Sequence, residues 1–516
     1  MTVPFRPPET VHSVLDALAF WSARTPDEVA LLAPGREPAT YRGLHEAVRR
    51  LAGELRVRGF TRQEGITLLL PDGPDLCVML LATIASGIAV PVALPTPEAA
   101  HTSILANPRV RAVVVSAETA ASLSALPDHG LPVLSATRGS SLRIGDLHLE
   151  GVAWGNAAPE NPPEPEEIAL ILHSSGTTGR PKLVPRTHGN IVAACSRMIE
   201  TRAMTSADRG LSLARAAYSQ GINAIMFAIS SGGSLVVTPR PDVKALPHWL
   251  RTYRPTYLST SPAVLRAIAV DLEPDLLAVF QQSSLTTIHS TAGPLSDDDL
   301  CRLESLLGVP ILNGYGLSEA SAIAIEPWPR LRRVPGSVGR PQCDIRLVDE
   351  AAQELAQHKT GEIVVRGPQV FPGYLDDPAA NAVVFLPDGW FRTGDVGFVD
   401  ADGYLHLTGR LGETINRGGE KIVPDEIDAA LRSHPDVADA AVFAVPDSIL
   451  GEDVVAAVVL NPGVKLARKA VHRWLLDRLP LFKVPRRIWF VRELPRTPTR
   501  KVQRGELARL WSEKHG

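Results

Sequence analysis

The 516-residue chain is longer than one compact domain ordinarily runs, so its length predicts two or more hydrophobic cores in series. Hydrophobic residues make up 45% and charged residues 21%, which excludes a largely disordered chain, and a formal net charge of -3 excludes a whole-protein basic field. The balance favours work on a small molecule, with no nucleic-acid partner and no membrane insertion.

At the N-terminus, MTVPFRPPET has neither the basic start nor the apolar run of a signal peptide, and the closing SEKHG is not a peroxisomal address, so a cytoplasmic protein is expected. Helical patterns such as 44–55 then alternate, up to about residue 400, with short apolar strands such as 66–70, 112–115 and 168–172. That alternation predicts an α/β fold of helix-covered parallel sheets. The uncharged run 76–94 approaches bilayer length, but it holds Ser86-Gly87 and Pro91 and passes from LCVMLLATIAS to β-branched GIAVPV. It therefore predicts a buried helix, a turn and a buried strand. The four cysteines, Cys77, Cys195, Cys301 and Cys343, have no paired spacing and read as small core residues in a reducing compartment. A proline-rich stretch at 158–165 reads as a surface linker into the strand at 168.

The segment 168–182, IALILHSSGTTGRPK, runs a buried strand into two glycines, four hydroxyls and two cations. Such a segment offers free backbone N–H groups, hydroxyl donors and positive charge to a polyphosphate, though the same residues also favour a plain surface turn. It is not a G-x-x-x-x-G-K-[ST] loop, because Lys182 follows Gly179 by three places and no Ser or Thr comes next. Further on, Gly232-Gly233-Ser234-Leu235 precedes the strand-like LVVTP and reads as a turn, not a pantetheine attachment site. After the apolar strand 309–312 comes Asn313-Gly314-Tyr315-Gly316-Leu317-Ser318-Glu319. There Tyr315 offers a flat face for a purine, Ser318 a hydroxyl for phosphate, and Glu319 a hard oxygen for magnesium. In Trp390-Phe391-Arg392-Thr393-Gly394-Asp395 a carboxylate is expected in a tight turn, where it suits two ribose hydroxyls or a hairpin. Beyond Arg410 the elements shorten, which predicts a separate small α+β domain of about one hundred residues joined at Arg410-Leu411-Gly412. A glycine at such a joint absorbs backbone rotation.

In their order along the chain, SSGTTGRPK at 174–182, NGYGLSE at 313–319, GWFRTGD at 389–395, GRLGETINRGGEKIVPDEID at 409–428 and PRTPTRKVQRGEL at 495–507 resemble the acyl-adenylate-forming superfamily. That superfamily includes acyl-CoA synthetases, adenylation domains of peptide synthetases and beetle luciferases. The resemblance covers essentially the whole chain, and INRGGEKI with the 335–339 stretch is most similar to the oxalyl-CoA synthetase branch. It implies a large N-terminal domain over 1–409, a hinge at 410–412 and a mobile C-terminal domain over 413–516. ATP and Mg2+, with CoA as acceptor, are the implied cofactors.

By the same resemblance, Ser174, Ser175, Gly176, Thr177, Thr178, Gly179 and Lys182 close over the β- and γ-phosphates. Tyr315 stacks on adenine, with Gly293 along its other side and Asn313, Gly314 and Gly316 in the same cluster. Ser318 meets the α-phosphate, Glu319 the magnesium, and Asp395 and Arg410 the ribose. Lys501 becomes the mobile catalytic lysine beside Ser318 and Glu319, withdrawn by rotation at Gly412 before the thiol enters. Arg417, Gly418, Gly419 and Lys421 then fall on the CoA side. Relatives carry Asp or Lys where Gly412 stands and a second lysine where Asn416 stands, so a looser hinge and no lysine-assisted second step are expected.

For the acid, Tyr218, Gln220, Asn223, His289, Ser290, Thr291 and Gly314 are the implied lining. Buried polar groups need partners, so a short polar or hydroxylated aromatic acid suits them better than a fatty acyl chain. Two other readings stand beside acyl-CoA formation: transfer to a carrier-protein thiol, an amine or another nucleophile, and a nucleotide-binding regulator without catalysis.

Overall fold

The computed structural model describes residues 11–94, 104–124, 130–153, 155–157, 161–174, 182–240, 242–270, 274–291, 293, 295, 297–330, 332–356, 358–413, 415–417, 420–447, 449–497 and 502–515. They divide into two compact units, 1–344 with 366–383, and 345–365 with 384–516.

In the first unit the continuous apolar runs become strands covered on both faces, as parallel pairing requires. Among the described residues, Leu147–Glu150, Val133–Arg138, Val110–Val115, Gly65–Leu69, Ile88–Pro91, Ile168–Ser174 and Lys182–Thr187 lie side by side in one seven-stranded sheet. Only its two outermost pairs are antiparallel. The uncharged run folds as expected into the buried helix Pro74–Ser86, Gly87 and strand Ile88–Pro91. Among the described residues no helix is long and apolar enough to cross a membrane.

The unit's second sheet has nine strands among the described residues, and its centre is the parallel series Ser234–Val237, Arg209–Ser212, Tyr257–Thr260, Thr287–Ser290 and Ile311–Leu317. Leu258, Ile288 and Ile311 project from one face into a core completed by helical Leu265, Phe280 and Leu303. Parallel α/β sheets bind ligands at the carboxyl ends of their strands; Ser290 stands at such an end, and Asn313 is its register partner where the parallel pairing stops. Gly232 caps helix Ser219–Ser231 in the left-handed conformation and Ser234 opens a strand, so Gly232-Gly233 make the turn the sequence predicts while Ser234-Leu235 already belong to the strand.

In the second unit, Phe391–Val399 and Leu405–Arg410 are the last strands of a four-stranded sheet. Chain-distal to it, Glu420–Ile422, Ile415–Arg417, Gly451–Leu460 and Val437–Asp447 form, among the described residues, a five-stranded sheet with Arg487–Phe490, which runs parallel to Gly451–Leu460. Strand alternation gives it two cores. Val442, Val454, Ala456 and Val458 pack beneath Ile427, Leu431, Val471 and Leu475 of helices Pro424–Arg432 and Arg468–Leu476. Ala441, Phe443, Val455 and Ala457 face Leu507 and Trp511 of helix Arg504–His515. This is the small α+β arrangement that the shorter elements beyond Arg410 imply.

Three expectations are corrected. Cys77 and Cys195 are buried, but Cys301 is exposed and Cys343 only partly covered, because the amphipathic helix Asp297–Leu307 turns its leucines inward and Cys301 outward. The strand expected over 309–312 runs instead over Ile311–Leu317, so Asn313 to Leu317 are themselves strand residues. Asp395 also sits within strand Phe391–Val399, not in a hairpin turn; the positive φ of Gly394 and a register shift after Val396 accommodate the local bend.

Candidate active site

The strand Ile311–Leu317 returns as antiparallel Ser321–Ile325 through Ser318, Glu319 and Ala320. Glycine is required at 316, where a Cβ would lie 1.6 Å from the Ser321 carbonyl oxygen. Glu319 is 9% exposed. Its backbone carbonyl accepts from Phe371 N–H at 2.7 Å, and its carboxylate accepts from the Tyr374 hydroxyl at 3.0 Å. Lys182 lies over the Tyr374 ring, Nζ 4.5 Å from the centroid. Ser174 and Lys182 are register partners, so the segment 175–181 joins two paired ends and Lys182 links one of them to the Glu319 carboxylate through Tyr374.

The sequence Arg186-Thr187-His188-Gly189-Asn190 explains how that holder is placed. Thr187 and Asn190 form a capping box at the start of helix His188–Thr201. The Asn190 amide also donates to the carbonyls of Pro368 and Val370 at 2.7 and 3.0 Å, which fixes the segment bearing Phe371 and Tyr374. Arg186 is fully covered, and its Nη1 donates to the Ser318 carbonyl at 3.3 Å. Its Nε and Nη2 have no protein partner. Burial pushes its pKa down to about 10 while Cys195 and Glu319 oppose the shift, so it remains a cation at neutral pH beneath the Ser318–Glu319 turn. Arg202 does the same for the other end of the strand, donating to the Asn313 carbonyl at 3.0 Å. The Asn313 N–H donates to the Glu326 carboxylate at 3.0 Å. Sequence reasoning passed over Arg186, Arg202 and Tyr374; the available signal for Arg186 was a lone cation within the strand LVPRT.

Two histidines flank this framework, His188 buried and His173 partly covered with its Nε2 inside. His173 precedes Ser174 and is pushed down to about 4 by burial; His188 is pushed down to about 3 by burial and then by Arg62. Depressed folded pKa values favour the native state fully above pH 6.5, and that stabilisation declines as pH falls. At pH 5 each histidine should have cost the fold about 2 kcal/mol relative to pH 7.5. The urea midpoint of the whole chain is expected to drop across this interval, and to drop less in His173→Gln and His188→Gln; equal drops in all three proteins would contradict the assignment.

The residues expected to face the acid divide between surfaces. Gln220 donates to the Thr260 carbonyl at 2.6 Å, and Asn223 to Ser321 Oγ at 3.1 Å. Tyr218 caps helix Ser219–Ser231 and lies 5.3 Å from the Arg215 guanidinium, itself paired with Asp72 at 2.7 Å. Thr291 Cγ2 lies 3.1 Å from where a Gly314 Cβ would stand. Ser290 Oγ is buried without a protein partner, as is Thr260 Oγ1, its register neighbour. His289 takes the opposite face by strand alternation, stacking on Tyr257 with centroids 4.9 Å apart. Burial holds its imidazole neutral, well below 6.5. Gly293 is exposed and Tyr315 buried.

In the second unit, register places Asp395 opposite Arg410, and their side chains pair at 2.7 Å. The Leu411 N–H donates to the Gly394 carbonyl at 2.8 Å. At Gly412 an added Cβ would meet nothing within 4 Å, and φ is not positive, so neither crowding nor backbone sign requires glycine in this state. Arg417, expected on the CoA side, lies within the small sheet. It is 9% exposed, pairs with Asp453 at 2.9 Å and donates to the carbonyls of Phe482 and Val484, so its guanidinium is committed to the sheet. Ser175, Gly176, Thr177, Thr178, Gly179, Gly418, Gly419 and Lys501 lie outside the described residues, as do the side chains of Ser174, Asn416 and Lys421.

Among the described residues no group of three or more His, Cys, Asp or Glu is placed to hold a metal. Glu319 as a lone carboxylate fits Mg2+, which is commonly held by one or two carboxylates together with substrate phosphates and water.

A family model described as AMP-binding enzyme matches residues 18–375, and one for the AMP-binding enzyme C-terminal domain matches 426–501. The oxalate–CoA ligase of Arabidopsis thaliana is 31% identical over 523 residues, covering 98% of this chain and 99% of the relative. The sulfoacetate–CoA ligase of Cupriavidus necator is 31% identical, covering 97% and 98%. Among solved structures, the amide bond synthetase McbA from Marinactinospora thermotolerans superposes with a TM-score of 0.82 at 26% identity, covering 96% of this chain and 99% of that one.

Proposed function

Since the chain belongs to the AMP-binding enzyme family, we propose that it adenylates a small carboxylic acid with ATP and passes the acyl group to the thiol of CoA. The single observation that carries this reading is Glu319, a buried carboxylate held by Tyr374 and backed by the Arg186 cation at the turn that also bears Ser318.

In the first step a carboxylate oxygen attacks the α-phosphorus and the bond to pyrophosphate breaks, leaving the acyl-adenylate. In the second, a thiolate attacks the acyl carbonyl and AMP departs. Two anions must meet in the first step, so catalysis is mostly alignment and charge stabilisation. Glu319 would hold Mg2+, which when bound would supply neutralisation of charge on phosphate oxygens. Arg186 fixes the Ser318 carbonyl and so aims the hydroxyl next to it. Tyr315 stacks on adenine, Asp395 and Arg410 hold the ribose, and the segment 174–182 wraps the departing phosphates. Lys501 donates to the α-phosphate and acid in the first step and leaves before the thiol enters. This assigns 1–409 to ATP and acid, 410–412 to the hinge and 413–516 to the moving domain. With the Arg417 guanidinium engaged by Asp453, Lys421 is the cation of the CoA-side group left to meet the phosphates of CoA.

The acid is a short polar or hydroxylated aromatic one. The unpartnered hydroxyls of Thr260 and Ser290 favour a substrate that brings hydrogen-bond acceptors, and the names of the oxalate and sulfoacetate ligases agree with it. Transfer to an amine is the second reading, favoured by the amide bond synthetase neighbour. A pyrophosphate-release screen over oxalate, sulfoacetate, indole-3-acetate, ferulate and hydroxybenzoates, with CoA, with an amine and with neither, tests both. Release that depends on one of these acids, with acyl-CoA as product, is expected. Amide product in place of thioester would select the second reading, and no release with any acid would sink the first.

A further inference from the structure

Arg504 stands three residues beyond Lys501, in the first turn of helix Arg504–His515. Its guanidinium is turned inward and used on every side. Nε donates to Glu413 Oε2 at 3.1 Å, Nη2 to Asp428 Oδ2 at 3.0 Å and to Asp425, and Nη1 to the Val442 carbonyl at 2.6 Å. Asp428 in turn accepts from Val442 N–H at 2.6 Å. Attraction to the carboxylates of Asp428, Asp425 and Glu413 raises the arginine's pKa against the effect of burial. Before the helix, Arg496 and Val502 form a β-bridge, and Gln503 N–H donates to the Pro495 carbonyl at 2.9 Å. Glu413 is the residue immediately after Gly412, and its N–H donates to the Arg410 carbonyl at 3.2 Å. One side chain thus ties the exit of the expected hinge to the base of the segment that carries the lysine.

We propose that Arg504 is a positioning residue that acts through Lys501: its bond to Glu413 makes Glu413 the first residue of the moving body and confines rotation to Leu411 and Gly412. The inference rests on the two-step reading above. Without the bond, rotation at the hinge spreads into the chain beyond it and the lysine returns to a range of positions; a 1 Å misplacement of a reacting group costs about 10²-fold.

Glu413→Gln and Arg504→Lys in the full chain test this, using whichever of oxalate, sulfoacetate, ferulate and indole-3-acetate gives the fastest pyrophosphate release. Adenylation kcat should fall by about 10- to 100-fold, while the KM for ATP and the acylation of CoA by presynthesised adenylate stay within about twofold. In a Lys501→Ala background, Glu413→Gln should add almost nothing, as expected of residues acting as one unit. Equal loss in both half-reactions, or losses that multiply with Lys501→Ala, would overturn the proposal. Amide hydrogen exchange of the unliganded protein gives a second decision: Glu413→Gln should raise exchange in 411–417 and 495–507 together, and a rise confined to 411–417 contradicts the coupling. Were the parent inactive with every acid of the screen, hydroxybenzoates included, the functional reading would fail by itself, and the exchange result would still decide for or against the contact.

Discussion

Replacing Lys501 with alanine is expected to lower acid-dependent ATP–pyrophosphate exchange by about 10²–10³-fold, the usual cost of losing one preorganised donor at a developing anion. The same variant should acylate CoA from a presynthesised adenylate at nearly the parent rate, because the thiol step breaks the acyl–phosphate bond after the lysine has left. The asymmetry is the informative quantity. A lysine needed only for folding would slow both half-reactions alike, and one needed only for nucleotide affinity would raise the KM for ATP without lowering kcat. Rapid-quench measurement of each half-reaction, with ATP saturating in the first, separates these cases.

The second large effect belongs to Glu319. Glu319→Gln keeps the size of the side chain and an oxygen for the Tyr374 hydroxyl, but removes the charge that suits a divalent cation. Adenylation should fall by roughly 10²-fold, with half-saturation by Mg2+ moving to higher concentration. Tyr374→Phe provides the control. It leaves the carboxylate charged but frees it from its hydroxyl partner, so its loss should be smaller and recovered in part by raising Mg2+. If Glu319→Gln and Tyr374→Phe were equally active and equally sensitive to Mg2+, Glu319 would be a structural acid and not the metal residue.

Much of the fold was legible in residue pattern alone, for reasons visible in the strands. Parallel strands covered on both faces must be largely apolar, and Gly65–Leu69, Val110–Val115 and Ile168–Ser174 are, with Thr67, Arg111 and the closing His173-Ser174 as the exceptions. The run 76–94 could be divided because glycine and proline interrupt it at the places where helix becomes strand. The motif residues Tyr315, Ser318, Glu319, Asp395 and Arg410 were nameable because their chemistry is dense and local. What eluded the sequence was contact between distant segments. Nothing in GYL at 373–375 announces that Tyr374 reaches Glu319, fifty-five residues earlier. Nor does NRG at 416–418 reveal that Arg417 is consumed by Asp453, whose partner strand is set by register with Gly451–Leu460. Asp395 looked like a turn acid because Thr393-Gly394-Asp395 has turn composition; sheet pairing with Leu405–Arg410 overrode that local preference. His289 and Ser290 read as one lining because they are adjacent, yet adjacent residues of a strand face opposite ways.

Arg186 and Arg202 show a further limit. Each is buried against a backbone carbonyl of the Asn313–Ser318 stretch, so both stabilise the site from beneath without belonging to any motif that names it. Burying a cation is costly unless something nearby repays it. Here Cys195 and Glu319 offset part of the effect of burial on Arg186, and Glu326 part of that on Arg202.

Incubating the protein with ATP, Mg2+ and the responding acid in the absence of CoA, then identifying the nucleotide products by mass, tests the adenylation claim most directly. Acyl-AMP and pyrophosphate should accumulate to about one equivalent of enzyme and convert to acyl-CoA and AMP when CoA is added. ADP and phosphate as the products, or acyl-CoA formed with no adenylate ever detectable in a single turnover, would contradict it.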